Sequence, residues 1–262
     1  MFTSAWDFIV DPANWQGPTG IGARILQHLW YSLLAVAFAA VIAVPAGLAI
    51  GHFRRGEIVV VGVVNALRSL PTLGVLTLLV LLLGLGLVPP IVALVLLGIP
   101  PLLAGTYAGV ANVDRTVVDA AEAMGMTPLQ VLVRVEIPNA LPLILGGMRS
   151  ATLQVIATAT VAAYVNLGGL GRYIFDGLAL RSYDRVLVGA ILVAALALIV
   201  DGLLAAAVWA SVPGTGRLRR AYTAPAAPAA AATDPERPVT LGPRPAPHGG
   251  WPRRTQPPTR RR

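Results

Sequence analysis

Five apolar stretches constrain this chain more than any other feature, because each exceeds the ~20 residues that cross ~30 Å of hydrocarbon at ~1.5 Å per residue. They run from about 25 to 51, from after Glu57 to about 83, from 89 to 110, from about 140 to 165 and from 186 to 212. The second is interrupted by Arg68 and Pro71. Buried helices of a soluble core would carry polar faces at a 3.6-residue period, and these stretches are apolar nearly all round. The expected fold class is all-α: a polytopic membrane bundle of about five transmembrane helices.

Composition agrees. Apolar residues make up 56% of the chain and charged residues 12%, where a soluble domain would carry roughly 25%. The net charge of +8 does not point to nucleic acid. All twenty basic residues are Arg, ten of them from Arg217 to Arg262, and no basic stripe interleaves with stacking aromatics. Without Cys there are no disulfides, thiol chemistry or Cys-based metal sites, and His28, His52 and His248 are too far apart to suggest a metal centre. They read as interfacial or tail residues. No cofactor is expected. Residues 1–22 carry Asp7 and Asp11, no basic residue and no apolar core, unlike a signal peptide.

Arg placement predicts the orientation. Arg54 and Arg55 put the first loop in the cytoplasm, hence the N-terminus outside, 84–90 outside, 111–139 inside, 166–185 outside and the C-terminus inside. Arg172, Arg181 and Arg185 weaken this bias locally, but the first loop and the tail outweigh them. The organisation expected is an external segment over 1–24, a transmembrane domain over 25–213 and a disordered cytoplasmic tail over 214–262. That tail, rich in Pro, Ala and Arg, is a solvated arm or a weak binder of anionic lipid. Trp6, Trp15, Trp30 and Trp209 fall near expected membrane boundaries, where Trp anchors a helix.

The internal loop is the most informative segment. Val117, Val118, Ala121, Ala123 and Met124 give a short helix an apolar face, and Gly125 ends it. Thr127 is placed to cap a second helix with Pro128 at its first position, presenting Leu129, Val131, Leu132 and Val135 until Pro138 closes it. Small residues on the first helix would let another protein's backbone approach closely.

The series Asp119-Ala120-Ala121, three residues, Gly125, nine residues, Val135, one residue, Ile137-Pro138 resembles the signature of permease subunits of binding-protein-dependent ABC importers. Asp119 stands where that signature has Glu. The likeness extends from about Ser32 to Ala206. It is strongest towards permeases for glycine betaine, choline and related osmoprotectants, through Pro100–Val110, Ala123–Thr127, Pro138–Pro142, Gly146–Arg149 and the run Gly168-Gly169-Leu170-Gly171. Asn166-Leu167 replaces the more usual Ile-Gly before that run. Arg68-Ser69-Leu70-Pro71 is more similar to permeases for methionine.

The resemblance implies a type I importer permease whose 111–139 loop docks into a cytoplasmic ABC ATPase. It also implies a second permease subunit, copy or paralogue, since one such bundle cannot readily enclose a path and offer two coupling surfaces. An extracytoplasmic binding protein would supply recognition. The chain lacks a phosphate-binding Gly-rich loop and any Lys, so ATP hydrolysis falls to another subunit. The solute expected is glycine betaine, choline or a related osmoprotectant; methionine or another amino acid, or a passive channel, are the alternatives.

Gln154, Thr158, Thr160 and Tyr164 make the fourth stretch polar, with Gln154 and Thr158 one turn apart. They either line the solute path, with Gly168, Gly169 and Gly171 as a gate, or hydrogen-bond between helices. Two intramembrane charges stand out. Arg68 lies eleven residues after Glu57 and Asp201 eleven before Val212, so on continuous helices both reach about 16 Å deep. Equal depth and opposite sign allow an ion pair; the alternative sends Arg68 to free carbonyls at Pro71 or to the pore, and Asp201 to another helix.

Overall fold

The structure, a computed structural model, describes residues 2–211. The tail expected over 214–262 lies outside the described residues.

Among the described residues, four helices are long and apolar enough to cross a membrane: α2 (Ile21–Phe53), α5 (Val88–Ala111), α8 (Ile137–Ala162) and α10 (Tyr183–Ser211). The second apolar stretch is not one rod. It divides into α3 (Glu57–Ser69) and α4 (Thr72–Leu83), which meet at 84°. Pro71 is the cause: it lacks an N–H, and it drives the preceding Leu70 into extended backbone (ψ 128°). Counted as one broken span, α3 and α4 bring the total to five. Leu33, Val41, Leu81, Leu198 and Leu203 are exposed along these helices, a sheath suited to hydrocarbon and not to water.

The centre of the bundle is α5, packed between α2 and α8. Small residues make this possible. A Cβ on Gly105 would stand 2.6 Å from the Gly147 Cα, so the α5 and α8 backbones touch where they cross. Around this crossing Leu94, Leu102, Val110, Val155 and Ala140 are fully buried.

Two features were not foreseen. Within 1–24, α1 (Phe2–Val10) turns Ala5 and Phe8 towards α10 and leaves Phe2 and Trp6 exposed. Within 166–185, α9 (Gly171–Ala179) lies against α10, where Gly189 meets Tyr173 and Ile174. Trp15, Trp30 and Trp209 are exposed as well, as anchors would be.

Hydrogen bonds sort the connections into two ends. At one end Arg54 donates to the Val113 carbonyl (3.3 Å), joining the α2–α3 turn to the segment after α5. At the other, the Gly169 amide donates to Gln27 Oε1 (3.2 Å) and the Tyr173 hydroxyl to the Thr19 carbonyl (3.0 Å).

Candidate functional site

The segment between α5 and α8 is built from a cap, a helix, a left-handed turn and a second cap. Asp114 accepts the Thr116 amide (2.9 Å) and starts α6 (Arg115–Ala123). The same hydrogen bonds hold the Asp114 carboxyl below the usual carboxylate range. Gly125 then adopts φ +83°, a conformation glycine enters without strain. Thr127 and Gln130 cap each other: the Gln130 amide donates to Thr127 Oγ1 (3.4 Å) and the Thr127 amide to Gln130 Oε1 (2.9 Å). Pro128 opens α7 (Pro128–Val131).

Pro138 does not close this second helix. The chain passes through a π turn at Leu132–Glu136, in which the Ile137 amide donates to the Leu132 carbonyl, and continues into α8. A proline in a regular helix leaves the carbonyl four residues back without a donor; the wider turn accommodates that loss. The segment is therefore fused to a membrane helix.

The apolar face expected on α6 is divided. Val118 and Ala121 turn inward, while Val117 and Met124 are exposed with Leu129 of α7. Asp119, Ala120 and Gly125 share the outer surface; Val135 and Ile137 are half-buried, and Pro138 is exposed. Sequence reasoning missed the tie that holds this surface to the bundle. His52, at the end of α2, meets Glu136 in the π turn at 2.5 Å, and Glu136 is 2% exposed. The two lie 84 residues apart, and only an acid beside Val135 and Ile137 hinted at a partner.

The polar residues of α8 separate into two groups. Gln154 is exposed, as is Tyr164 beyond the helix end. Thr158 is buried and its hydroxyl donates back to the Gln154 carbonyl (2.8 Å), and half-buried Thr160 bonds the Ile156 carbonyl (3.3 Å). Gln154 thus faces the open side of α8, and Thr158, one turn on and about 40° around the helix, is covered by its neighbours.

The glycine run is fastened at several points. His28, fully buried, donates from Nε2 to the Ile156 carbonyl of α8 (3.0 Å). A Cβ on Gly169 would stand 3.0 Å from His28 Nδ1, and one on Gly171 would collide with the Thr160 carbonyl. Gly168 takes φ +91° beside Gln27. His28 is thus a core residue and not an interfacial one.

The pairing of Arg68 with Asp201 is also corrected. Asp201 is held by Arg149 of α8, whose Nε and Nη2 donate to its two oxygens. The reason is azimuth: α10 packs on α1, α8 and α9, whereas α3 packs on α5. Arg68 instead stands at the α3–α4 elbow, lining a pocket of about 380 Å³ with Ser150 and Gln154.

Broken and continuous membrane helices around a close-packed centre, with a capped two-helix segment at one end, define a polytopic transport component of the membrane. The chain belongs to the family of binding-protein-dependent transport system inner membrane components, whose family model matches residues 43–208. It is similar to the glycine betaine/carnitine/choline transport system permease protein OpuCB of Bacillus subtilis (strain 168), 40% identical over 68% of this chain and 82% of that one. The carnitine transport permease protein OpuCB of Listeria monocytogenes is 42% identical over 67% and 80%. The osmoprotectant import permease protein OsmY of Salmonella typhimurium (strain LT2) is 35% identical over 68% and 77%. Among solved structures, inward-facing MetNI methionine ABC transporter shares the fold, with a TM-score of 0.66 and 20% identity over 73% of this chain and 96% of the matched one.

Proposed function

We propose that this chain is the permease subunit of an ATP-driven importer for a quaternary-ammonium osmoprotectant, of the glycine betaine, carnitine or choline kind. The observation that carries the solute class is the 35–42% identity to relatives named for those solutes, sustained over about two thirds of the chain. Methionine or another amino acid is the second reading, favoured only by the Arg68–Pro71 segment. A passive channel would have no use for a capped segment fused to a membrane helix.

The segment from Asp119 to Pro138 is the coupling surface. Val117, Met124 and Leu129 supply exposed apolar anchors, Ala120 permits close approach, and Asp119 adds charge at the rim. A cytoplasmic ATPase subunit docks there and drives α8 through the π turn. This puts the Arg54 end in the cytoplasm and the Gly168–Gly171 end outside, facing a separate binding protein, in agreement with the Arg bias. A second permease, copy or paralogue, completes the path across the exposed Gln154 side of α8; membrane lipid covers the remainder. Residues 25–213 form the transmembrane domain.

The test is Gly125 in the reconstituted importer. Gly125→Val keeps space around it, since nothing lies within 4 Å of a Cβ there, but forces a β-branched residue to positive φ at a cost of about 1–3 kcal/mol. Uptake of glycine betaine and stimulation of the ATPase are expected to fall together while membrane insertion persists. Gly125→Asn, which tolerates the left-handed region, is expected to retain more of both. Undiminished uptake in Gly125→Val would refute the coupling assignment.

A further inference from the structure

Arg68 is a charge without a counter-ion inside a membrane helix. It forms no ion pair or hydrogen bond among the described residues, whose three salt bridges are His52–Glu136, Arg149–Asp201 and Arg172–Asp176. Asp201 and Glu136 are already engaged. A guanidinium in a membrane-spanning segment must face water or meet an anion.

Its surroundings are built to receive one end of a small dipolar molecule. The elbow pocket of about 380 Å³ places Arg68 with Thr72, Ser150 and Gln154, within the range that small-molecule sites occupy. Thr72, the first residue of α4, lines the same pocket, and the opening amides of a helix have no helical partners. Leu97 and Pro101 border it too, and Pro101 has no N–H to give the Leu97 carbonyl. A lone arginine among uncharged polar groups suits a solute that carries a carboxylate and repels a simple cation.

We infer that the elbow pocket is a transient binding site for the carboxylate of a zwitterionic solute, with Arg68 as the anion-binding residue and Gln154 and Ser150 as its polar neighbours. The inference rests on the importer reading above and sharpens it: the permease itself discriminates for glycine betaine or carnitine, which carry a carboxylate, and against choline, which has none. Arg68 donates to the carboxylate in a charge-assisted, two-point contact as the solute passes the break between α3 and α4.

The experiment is uptake by the complete importer in proteoliposomes, at saturating binding protein, with radiolabelled glycine betaine and choline. Arg68→Gln is expected to reduce maximal glycine betaine uptake about tenfold or more while changing choline uptake much less. Arg68→Lys, which keeps the charge, is expected to recover part of the loss. Gln154→Glu, which leaves Arg68 in place but supplies a competing carboxylate, is expected to lower glycine betaine uptake and raise choline uptake. Equal effects of Arg68→Gln on both solutes would make Arg68 structural and overturn the proposal, as would no effect on either. If Arg68→Gln fails to assemble, Gln154→Glu decides alone, and an unchanged ratio of the two solutes overturns it. If the unmodified importer moves neither solute, the osmoprotectant reading is lost; the same variants are then read with methionine and methioninol, a pair that again differs in the carboxylate. An unchanged ratio for that pair overturns the role of Arg68.

Discussion

The guanidinium of Arg149 grips the Asp201 carboxylate at two points, Nε to Oδ1 at 2.5 Å and Nη2 to Oδ2 at 2.7 Å, and so ties α8 to α10. Geometry of this kind is directional as well as charged: a planar fork meets a planar acceptor, which sets the rotation of both helices about their axes. The tie begins only two residues beyond Gly147, where α8 crosses α5. The middle of α8 is thereby fixed on two sides.

Arg149 and Asp201 are only partly covered, 39% and 27% exposed, yet both lie on apolar helices, so removing one partner leaves the other charge unpaired in the membrane-spanning region. Asp201→Asn or Arg149→Ala is therefore expected to lower the melting temperature of the purified protein and its yield in the membrane. Arg149→Met combined with Asp201→Leu, which removes both charges, is expected to recover most of the loss. Arg68→Asp with Asp201→Arg is expected to show no mutual rescue. Thermal unfolding in detergent checks all three, and recovery in the last pair would show that Arg68 and Asp201 interact.

The contact between His52 and Glu136 joins the end of α2 to the π turn that carries the proposed coupling segment. Both side chains are largely buried, so Glu136→Ala leaves the His52 ring nitrogen without its partner and is expected to cost about 1–3 kcal/mol of local stability. Hydrogen exchange should rise around 128–140 with little change in α5. Uptake is expected to fall further than stability alone accounts for, because motion at α6 then reaches α8 but not α2. Unchanged exchange in that region would count against the tie.

At the α5–α8 crossing there is no room for a side chain. Gly105→Val places its Cβ at 2.6 Å from the Gly147 Cα and is expected to separate the helices, at an overpacking cost of about 1–3 kcal/mol or more. Gly202→Ala on α10, where nothing lies within 4 Å of the new Cβ, is expected to be neutral or slightly stabilising. Paired melting curves check the contrast.

Asp114 gives a pH dependence with a definite sign. Hydrogen bonds from Thr116 lower its folded-state pKa below 3.8, so the cap contributes stability above the unfolded value and loses it as pH falls through the folded one. Between pH 5 and 8 the start of α6 is expected to be insensitive to pH. Below about pH 4 it should fray, read as faster exchange of residues 115–118. Asp114→Asn, still an acceptor, is expected to keep α6 capped and abolish the acid transition; Asp114→Ala is expected to fray it at every pH.

Much of the architecture was legible because its causes are local. Four of the five apolar stretches became single long helices within a few residues of their expected ends, since length and apolarity are properties of contiguous sequence. The turn at Gly125 and the cap at Thr127 and Pro128 were legible for the same reason: each needs particular residues at a spacing of one to three. Pro71 announced a break, but the sequence did not announce its angle of 84°. Pro138 was read as a stop because the local rule says so; the π turn that carries the helix past it depends on packing around Glu136 and His52.

What the sequence by itself determined is the membrane bundle, its helices, the capped segment between α5 and α8 and the family to which the motifs point. Which charges meet was decided only by tertiary structure. Depth along a helix follows from counting residues, and by that measure Arg68 and Asp201 were equivalent. Rotation about the helix axis and choice of neighbour follow from the packing of all the helices at once. That packing gave Asp201 to Arg149, buried His28 against Ile156, turned Thr158 inward and left Arg68 facing an open pocket. No local pattern encodes those outcomes, because each depends on contacts made by residues far apart in the chain.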